Sequence, residues 1–222
     1  MNKKIRFLIL SGPTKEYIDP VRYISNESSG RMGSALAEVA IKKGYEVIFV
    51  SGPAKVLPKN VKIINVVTAL DMFKVTKLNF KRTDIVISAA AIADYRPLKV
   101  SKHKIKKDCS SPTMSIKLKQ NPDIIKYCGK NKKSQIVAGF ALETKNLISN
   151  ALIKLKKKNL DLIVANGVET FNSKNSTVNI ITQNNVLKIK NKSKNTIAGK
   201  IIDETVKIFK NIKVCKDNYR RL

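Results

Sequence analysis

Four stretches of this 222-residue chain carry residue types suited to holding an anion or a flat polar ligand. The first runs Ser11-Gly12-Pro13-Thr14, then Ile18 to Asn26, then Ser28-Ser29-Gly30-Arg31-Met32-Gly33. There, small residues open a helix and leave backbone N–H groups and the positive end of the helix dipole available to an anion. The spacing is neither G-x-G-x-x-G nor the G-K-S/T of a P-loop, and a tight turn accounts for the glycines equally well. The second, Ser88-Ala89-Ala90-Ala91-Ile92-Ala93-Asp94-Tyr95-Arg96-Pro97, ends an apolar run in small residues that let a ligand approach the backbone. The third, Lys104-Ile105-Lys106-Lys107, offers the cations that polyphosphate chemistry requires, although such a run is unsurprising in so lysine-rich a chain. The fourth combines Asn121-Pro122-Asp123-Ile124 with a later helix beginning near Thr144. At about 100° per residue, that helix buries Leu147, Ile148, Ala151 and Leu155. It sets Lys154 and Lys158 one turn apart at the edge of the stripe and turns Lys156 and Lys157 away. The stacked pair can grip one anion, or simply snorkel at the surface.

Such loops meet at one place only if the strands before them share a sheet. Short apolar runs alternate with helix-period segments over the first two-thirds of the chain, the pattern of an α/β, Rossmann-like, mostly parallel sheet with helices on both faces. Strands are expected at Ile5–Leu10, Glu46–Val50, Lys62–Val66, Asp84–Ala89, Gln135–Phe140 and Asp161–Ala165. The first helix presents Met32, Leu36, Val39 and Ala40 on one face and stops at Gly44. Further helices are expected at Ala69–Leu78, Pro122–Cys128 (with Pro122 as its first residue), Thr144–Lys158 and Ile197–Ile212. Residues 97–120 read as a lysine-rich excursion or flap with a weak strand at Met114, Ile116 and Leu118. Residues 177–190 read as a C-terminal β-hairpin turning at Asn184-Asn185. Nothing divides residues 1–222 into two domains. In an open sheet of this kind ligands bind beyond the carboxyl ends of the strands, where the four stretches fall.

Composition narrows the classes. With 43% hydrophobic residues the chain can build a core. Cys109, Cys128 and Cys215 are odd in number and widely separated, so they suggest neither a disulfide framework nor a metal pair, and a reducing cytoplasm is the expected setting. The apolar run Ile5–Leu10 is far shorter than the roughly 20 residues needed to cross a bilayer, and no membrane association is expected. A net charge of +28 raises a nucleic-acid surface as an alternative. Lysine is nevertheless spread over nearly every segment and aromatic residues are 6%, so the expected partners are small phosphorylated molecules attracted by the field, not nucleic acid.

The motifs also carry a family likeness. The GPT turn at Gly12, DPVRYISNESSGRMG from Asp19, AAIADYRP from Ala90, KIKK from Lys104, NPDI from Asn121, VAGFALET from Val137 and KNLDLIVAN from Lys158 occur in order from Leu8 to about Ile180. This arrangement resembles the synthetase domain of bacterial phosphopantothenoylcysteine synthetases, the phosphopantothenate–cysteine ligases of coenzyme A biosynthesis. The resemblance implies a two-step reaction. The carboxylate of phosphopantothenate attacks the α-phosphorus of a nucleotide, CTP before ATP, and the amine of cysteine then displaces the nucleotide from the acyl-nucleotide. It further implies that Asn26 holds that intermediate with Arg22 in support, and that Lys104 binds the triphosphate. The implied nucleotide site comprises Ser88, Ala89, Ala90, Asp94, Pro122, Asp123, Ile124, Ile125, Phe140, Lys154 and Lys158. Magnesium would be held by phosphates and water, with no protein ligands assigned. A homodimer packed through the excursion and hairpin is implied as well.

In the family, a flavin-dependent decarboxylase usually precedes this domain. The likeness therefore implies no flavin in this chain, which is a free-standing synthetase or an excised domain with the decarboxylase as a possible separate partner. The chain departs from the family pattern at Gly167, where Asp is usual, and at Lys174, where F-N-S-D becomes Phe171-Asn172-Ser173-Lys174. His103, the only histidine, is expected to be incidental. The alternative functions are a nucleotide-binding Rossmann-like module without catalysis and a basic nucleic-acid-binding protein.

Overall fold

The computed structural model describes residues 4–107, 113–143, 145–167 and 175–219, with side chains as far as Val214. In chain order the elements begin with β1 (Arg6–Ser11), the short antiparallel pair β2 (Lys15–Tyr17) and β3 (Tyr23–Ser25), α1 (Arg31–Lys42), β4 (Glu46–Ser51), β5 (Ile63–Asn65), α2 (Ala69–Phe80) and β6 (Ile85–Ser88). A second pair, β7 (Tyr95–Pro97) and β8 (Leu118–Gln120), precedes α3 (Ile124–Asn131), β9 (Ile136–Leu142), α4 (Leu147–Lys157) and β10 (Leu162–Asn166). The hairpin β11 (Asn175–Ile181) and β12 (Val186–Ser193) leads into α5 (Lys194–Tyr219).

The main sheet has eight strands in the order β12-β11-β10-β9-β6-β1-β4-β5. All neighbours from β5 to β10 are parallel, so the expected parallel core is present, and the hairpin adds two antiparallel strands at the β10 edge. Alternation along β1 divides the core. Phe7 and Ile9 pack with α1 and α5 residues such as Leu36 and Ile201, while Leu8 and Leu10 pack with Met72, Ile124 and Leu155 of α2, α3 and α4. Buried on both faces, the central strands need apolar residues throughout. From β1 the chain passes to β4 on one side and, after β5, returns to β6 on the other. The switch point therefore lies at the carboxyl ends of β1 and β6.

Several boundaries differ from expectation for local reasons. Pro122 precedes α3 instead of opening it, because the Asp123 carboxylate accepts from the Lys126 N–H at 3.0 Å and caps the helix. α4 starts at Leu147 behind Asn146, whose φ of 50° is left-handed; Thr144 lies outside the described residues. Ile148 is 44% exposed and so does not belong to the buried stripe that Leu147, Ala151 and Leu155 form. α5 is longer than its expected 197–212 span at both ends. In the excursion, Met114 and Ile116 are not in a strand. The pairing is β7 with β8, and only Leu118 of the expected strand takes part.

Candidate functional site

The loops after β1 and β6 are drawn together at the switch point. Gly30, just before α1, has φ 79°, and a Cβ there would lie 2.6 Å from the Ala54 Cβ. A Cβ on Gly33 would collide with the Ser11 hydroxyl, so two glycines let α1 begin hard against the end of β1. No side chain caps the first turn of α1. The segment 91–94 is bonded from several sides. Thr14 Oγ1 accepts from the Ala93 N–H at 3.0 Å, the Asn26 side-chain amide donates to the Ile92 carbonyl at 3.0 Å, and the Asn121 amide donates to the Ala93 carbonyl at 2.8 Å.

A cleft of about 620 Å³ opens over this junction. It brings together Asn26, Ala89, Ala90, Phe140 and Lys154 from the expected site. A neighbouring cleft of about 740 Å³ gathers Pro122, Asp123, Lys154 and Lys158, so Lys154 stands where the two meet. The two lysines do not share one partner. Lys154 pairs with Glu143 at 3.3 Å and Lys158 with Asp123 at 2.8 Å. Lys157 is exposed, yet it also lines the larger cleft instead of pointing away from it. Ile124 is buried in the core and Ile125 packs against it, so these two can offer a ligand little beyond their backbone. Ser88 is nearly buried at the end of β6, and Asp94 is exposed; neither lines the two clefts.

Arg22 and Lys104 also lie outside both clefts, but the structure links them. The buried Asp19 carboxylate accepts from the backbone N–H groups of Val21 and Arg22, both at 2.9 Å, and from the Arg22 guanidinium. It also accepts from the Ile105 N–H at 3.2 Å, while Arg22 donates to the Ile105 carbonyl at 2.8 Å. One carboxylate–guanidinium pair thus holds both backbone groups of the residue beside Lys104. The Arg22 guanidinium, helped by the backbone donors and opposed by burial, keeps the Asp19 carboxyl well below the usual carboxylate range. Asp19 is absent from the expected site although it begins one of the family motifs.

Arg31, Glu143, Asn166 and Lys194 were likewise not expected. Arg31 and Glu143 sit inside quoted motifs, whereas no local pattern distinguishes Lys194 from the chain's many other lysines. Cys128 is buried, and desolvation with the nearby Asp123 charge pushes its thiol up to about 12, so it is packing material and not a nucleophile. His103 is exposed and lines neither cleft. Cys109 and Lys174 lie outside the described residues, and Cys215 lies beyond the described side chains. Among the described residues no three His, Cys, Asp or Glu side chains gather to hold a metal, and no helix is long and apolar enough to cross a membrane.

Comparison with known proteins places this architecture. Residues 2–209 match the family described as the DNA/pantothenate metabolism flavoprotein C-terminal domain. Over 204 residues the chain is 44% identical to the coenzyme A biosynthesis bifunctional protein CoaBC of Borreliella burgdorferi, covering 90% of this chain and 52% of that protein. The chain thus spans about half the length of the curated relatives it matches. The crystal structure of the C-terminal domain of a CoaBC protein superposes with a TM-score of 0.80 at 36% identity, covering 93% of this chain and 96% of that one. A Cab2 variant in complex with phosphopantothenate-cysteine has the same fold, with a TM-score of 0.80 at 18% identity over 96% of this chain and 89% of that one. The sequence match over nearly the whole chain and the shared fold have one conclusion: the chain belongs to the DNA/pantothenate metabolism flavoprotein C-terminal domain family.

Proposed function

We propose that the chain is a phosphopantothenate–cysteine ligase of coenzyme A biosynthesis, working through an acyl-nucleotide. The observation that carries this reading is one cleft at the switch point that gathers Asn26, the Ala89-Ala90 backbone, Phe140 and Lys154. The CoaBC relatives and the Cab2 complex support the choice of substrates.

In this reading CTP lies along the Ser88–Ala90 backbone and Phe140, with Asp94 at the rim. The Pro122–Ile125 segment and Lys154 and Lys158 complete its site. A carboxylate oxygen of phosphopantothenate attacks the α-phosphorus, the bond to the bridging oxygen breaks, and pyrophosphate leaves. The carboxylate is already ionised at neutral pH, so no base is required. Lys104 opposes the charge gathering on the phosphates. The amine of cysteine then attacks the acyl carbon and loses a proton, and nucleoside monophosphate departs while Asn26, supported by Arg22, holds the acyl-nucleotide. Magnesium would be held largely by the nucleotide phosphates and water, as suits an ion that dehydrates reluctantly.

The same reading makes the protein a cytoplasmic homodimer whose partners are its small-molecule substrates. A phosphopantothenoylcysteine decarboxylase would act on its product. The test is pyrophosphate release with CTP or ATP, each with and without phosphopantothenate and cysteine. Release that requires phosphopantothenate but not cysteine is expected, with CTP preferred. Nucleotide binding without any release in the folded protein would leave only the non-catalytic module.

A further inference from the structure

Two segments of the proposed nucleotide site line different clefts, Ala89 to Ile92 the smaller and Pro122 with Asp123 the larger. The 97–120 excursion separates them in sequence, so a ligand that spans both clefts needs one segment fixed against the other. Residues 89–94 are alanines apart from Ile92 and Asp94, and they have little but backbone with which to hold a shape. On one side they are tied to the loop after β1. The Ala91 N–H donates to the Gly12 carbonyl at 2.9 Å and the Ala93 N–H to Thr14 Oγ1 at 3.0 Å. On the other side the tie is Asn121, which is 8% exposed. Its backbone N–H donates to the Asp94 carbonyl and its side-chain amide to the Ala93 carbonyl, both at 2.8 Å.

Arg96 completes this clasp. From β7, which pairs with β8, its guanidinium donates to Asn121 Oδ1 at 2.8 Å and to the Gln120 carbonyl at 2.9 Å. A guanidinium can only donate and a carbonyl can only accept, so one orientation of the Asn121 amide satisfies both neighbours. Turned over, the amide would set its NH₂ against the guanidinium and its oxygen against the Ala93 carbonyl, with little water to compensate. Arg96 therefore dictates that Asn121 presents its donor to Ala93. The same asparagine leads into Pro122 and Asp123, the latter capping α3 and pairing with Lys158. Any shift of Asn121 is passed to that wall as well.

We propose that Asn121, oriented by Arg96, is a positioning residue that fixes the Ser88–Asp94 backbone against the Pro122–Ile125 segment and so sets the affinity for nucleotide. The inference rests on the ligase reading for the identity of the nucleotide. The clasp touches no substrate in that reading and acts through the two walls it joins. It also closes the neck at which the chain leaves for Lys104 and returns, while the Lys104 end is held separately, through Ile105, by Asp19 and Arg22. Loosening the clasp should consequently weaken nucleotide binding and spare the chemical step.

The test uses the full chain with Asn121→Asp, Arg96→Met and Arg96→Lys. Lys119→Met is the control, an exposed β8 lysine opposite Arg96 that lines neither cleft. Asn121→Asp keeps the size and the acceptor for Arg96 but turns a carboxylate oxygen toward the Ala93 carbonyl. It should raise the Michaelis constant for CTP about tenfold. The value of kcat and the constants for phosphopantothenate and cysteine should stay within about twofold of the parent. Arg96→Met should act in the same direction, Arg96→Lys should recover most of the affinity because it keeps a donor, and Lys119→Met should behave as the parent does. In an Asn121→Ala background Arg96→Met should add little, since it acts through that amide. An unchanged constant for CTP in Asn121→Asp overturns the proposal. So does a parallel loss of kcat and of affinity for all three substrates, or an equal effect of Lys119→Met. If Asn121→Asp does not fold, Arg96→Met and its rescue by lysine decide alone. Calorimetric titration with CTP keeps the two readings apart. A parent protein that binds CTP but releases no pyrophosphate with phosphopantothenate sinks the ligase reading, and the clasp is then judged by the same loss and rescue in the dissociation constants. A parent that binds neither CTP nor ATP overturns the clasp too.

Discussion

At the residue scale, Asn26 and Asp19 make different predictions. The Asn26 amide already donates to the Ile92 carbonyl, and both residues line the smaller cleft. Asn26→Asp keeps the size but removes the donor and adds a charge that repels phosphate. The expected outcome is continued pyrophosphate release with acyl-nucleotide accumulating in place of the amide product, measured by mass spectrometry of quenched reactions. Full amide synthesis by the variant would remove Asn26 from the second step. Asp19 touches no proposed substrate and acts through the Ile105 backbone. Lys104→Ala should cut pyrophosphate formation by roughly a hundredfold. Asp19→Asn should cut it less, open the 102–107 segment to trypsin, and add nothing further in the Lys104→Ala background. Additive losses would mean a general structural role. Because the Asp19 carboxyl is held below its ordinary range, the clasp is fully present above the unfolded aspartate pKa of about 3.9 and is lost only as pH falls through the lower folded value.

At the scale of elements, α4 shows how a helix face distributes charge between two sites. Lys154 is half-buried and lines both clefts, whereas Lys157 is exposed and lines only the larger. Charge reversal at Lys154 should therefore raise the Michaelis constant for nucleotide well beyond reversal at Lys157, by a margin of about tenfold in steady-state kinetics. Equal effects would place the nucleotide in the larger cleft alone. The same helix illustrates a limit of periodicity. Ile148 has the right spacing for the core but lies in the first turn, beside an α4 start that the left-handed Asn146 sets. An exposed apolar residue near a helix start costs little, so pattern alone overestimates its burial.

At the scale of the whole molecule, Tyr95, Leu98 and Val100 near β7 and Val21 and Tyr23 near β3 are each more than 40% exposed. Ser101 ties the two regions, its N–H donating to the Ile18 carbonyl at 2.9 Å. Apolar side chains concentrated on an arm that leaves the main sheet suit contact with a second copy of the chain. Sedimentation velocity should show a dimer for the parent protein, and Leu98→Asp combined with Val100→Asp should shift it to monomer with little change in melting temperature. A monomeric parent at micromolar concentration would exclude the homodimer.

The six core strands and their helices are legible in the chain itself, because strands buried on both faces must be apolar throughout and amphipathic helices must repeat every 3.6 residues. The resemblance likewise names Asn26, Ala89, Ala90, Phe140 and Lys154, which line one cleft because the loop between β3 and α1, the end of β6, strand β9 and helix α4 meet there. Local pattern could not show that Lys154 and Lys158 answer to different carboxylates, that Asp123 caps α3 while pairing with Lys158, or that Asp19 reaches Ile105. Lys194 is the extreme case. In sequence it is one of the 44 Lys and Arg residues of a strongly basic chain. It faces Arg31 only because the hairpin returns the chain to the sheet edge and lays α5 beside α1. Periodicity reports how a residue meets its own element; which charges share a cleft depends on how distant elements pack, and the chain carries no local mark of that.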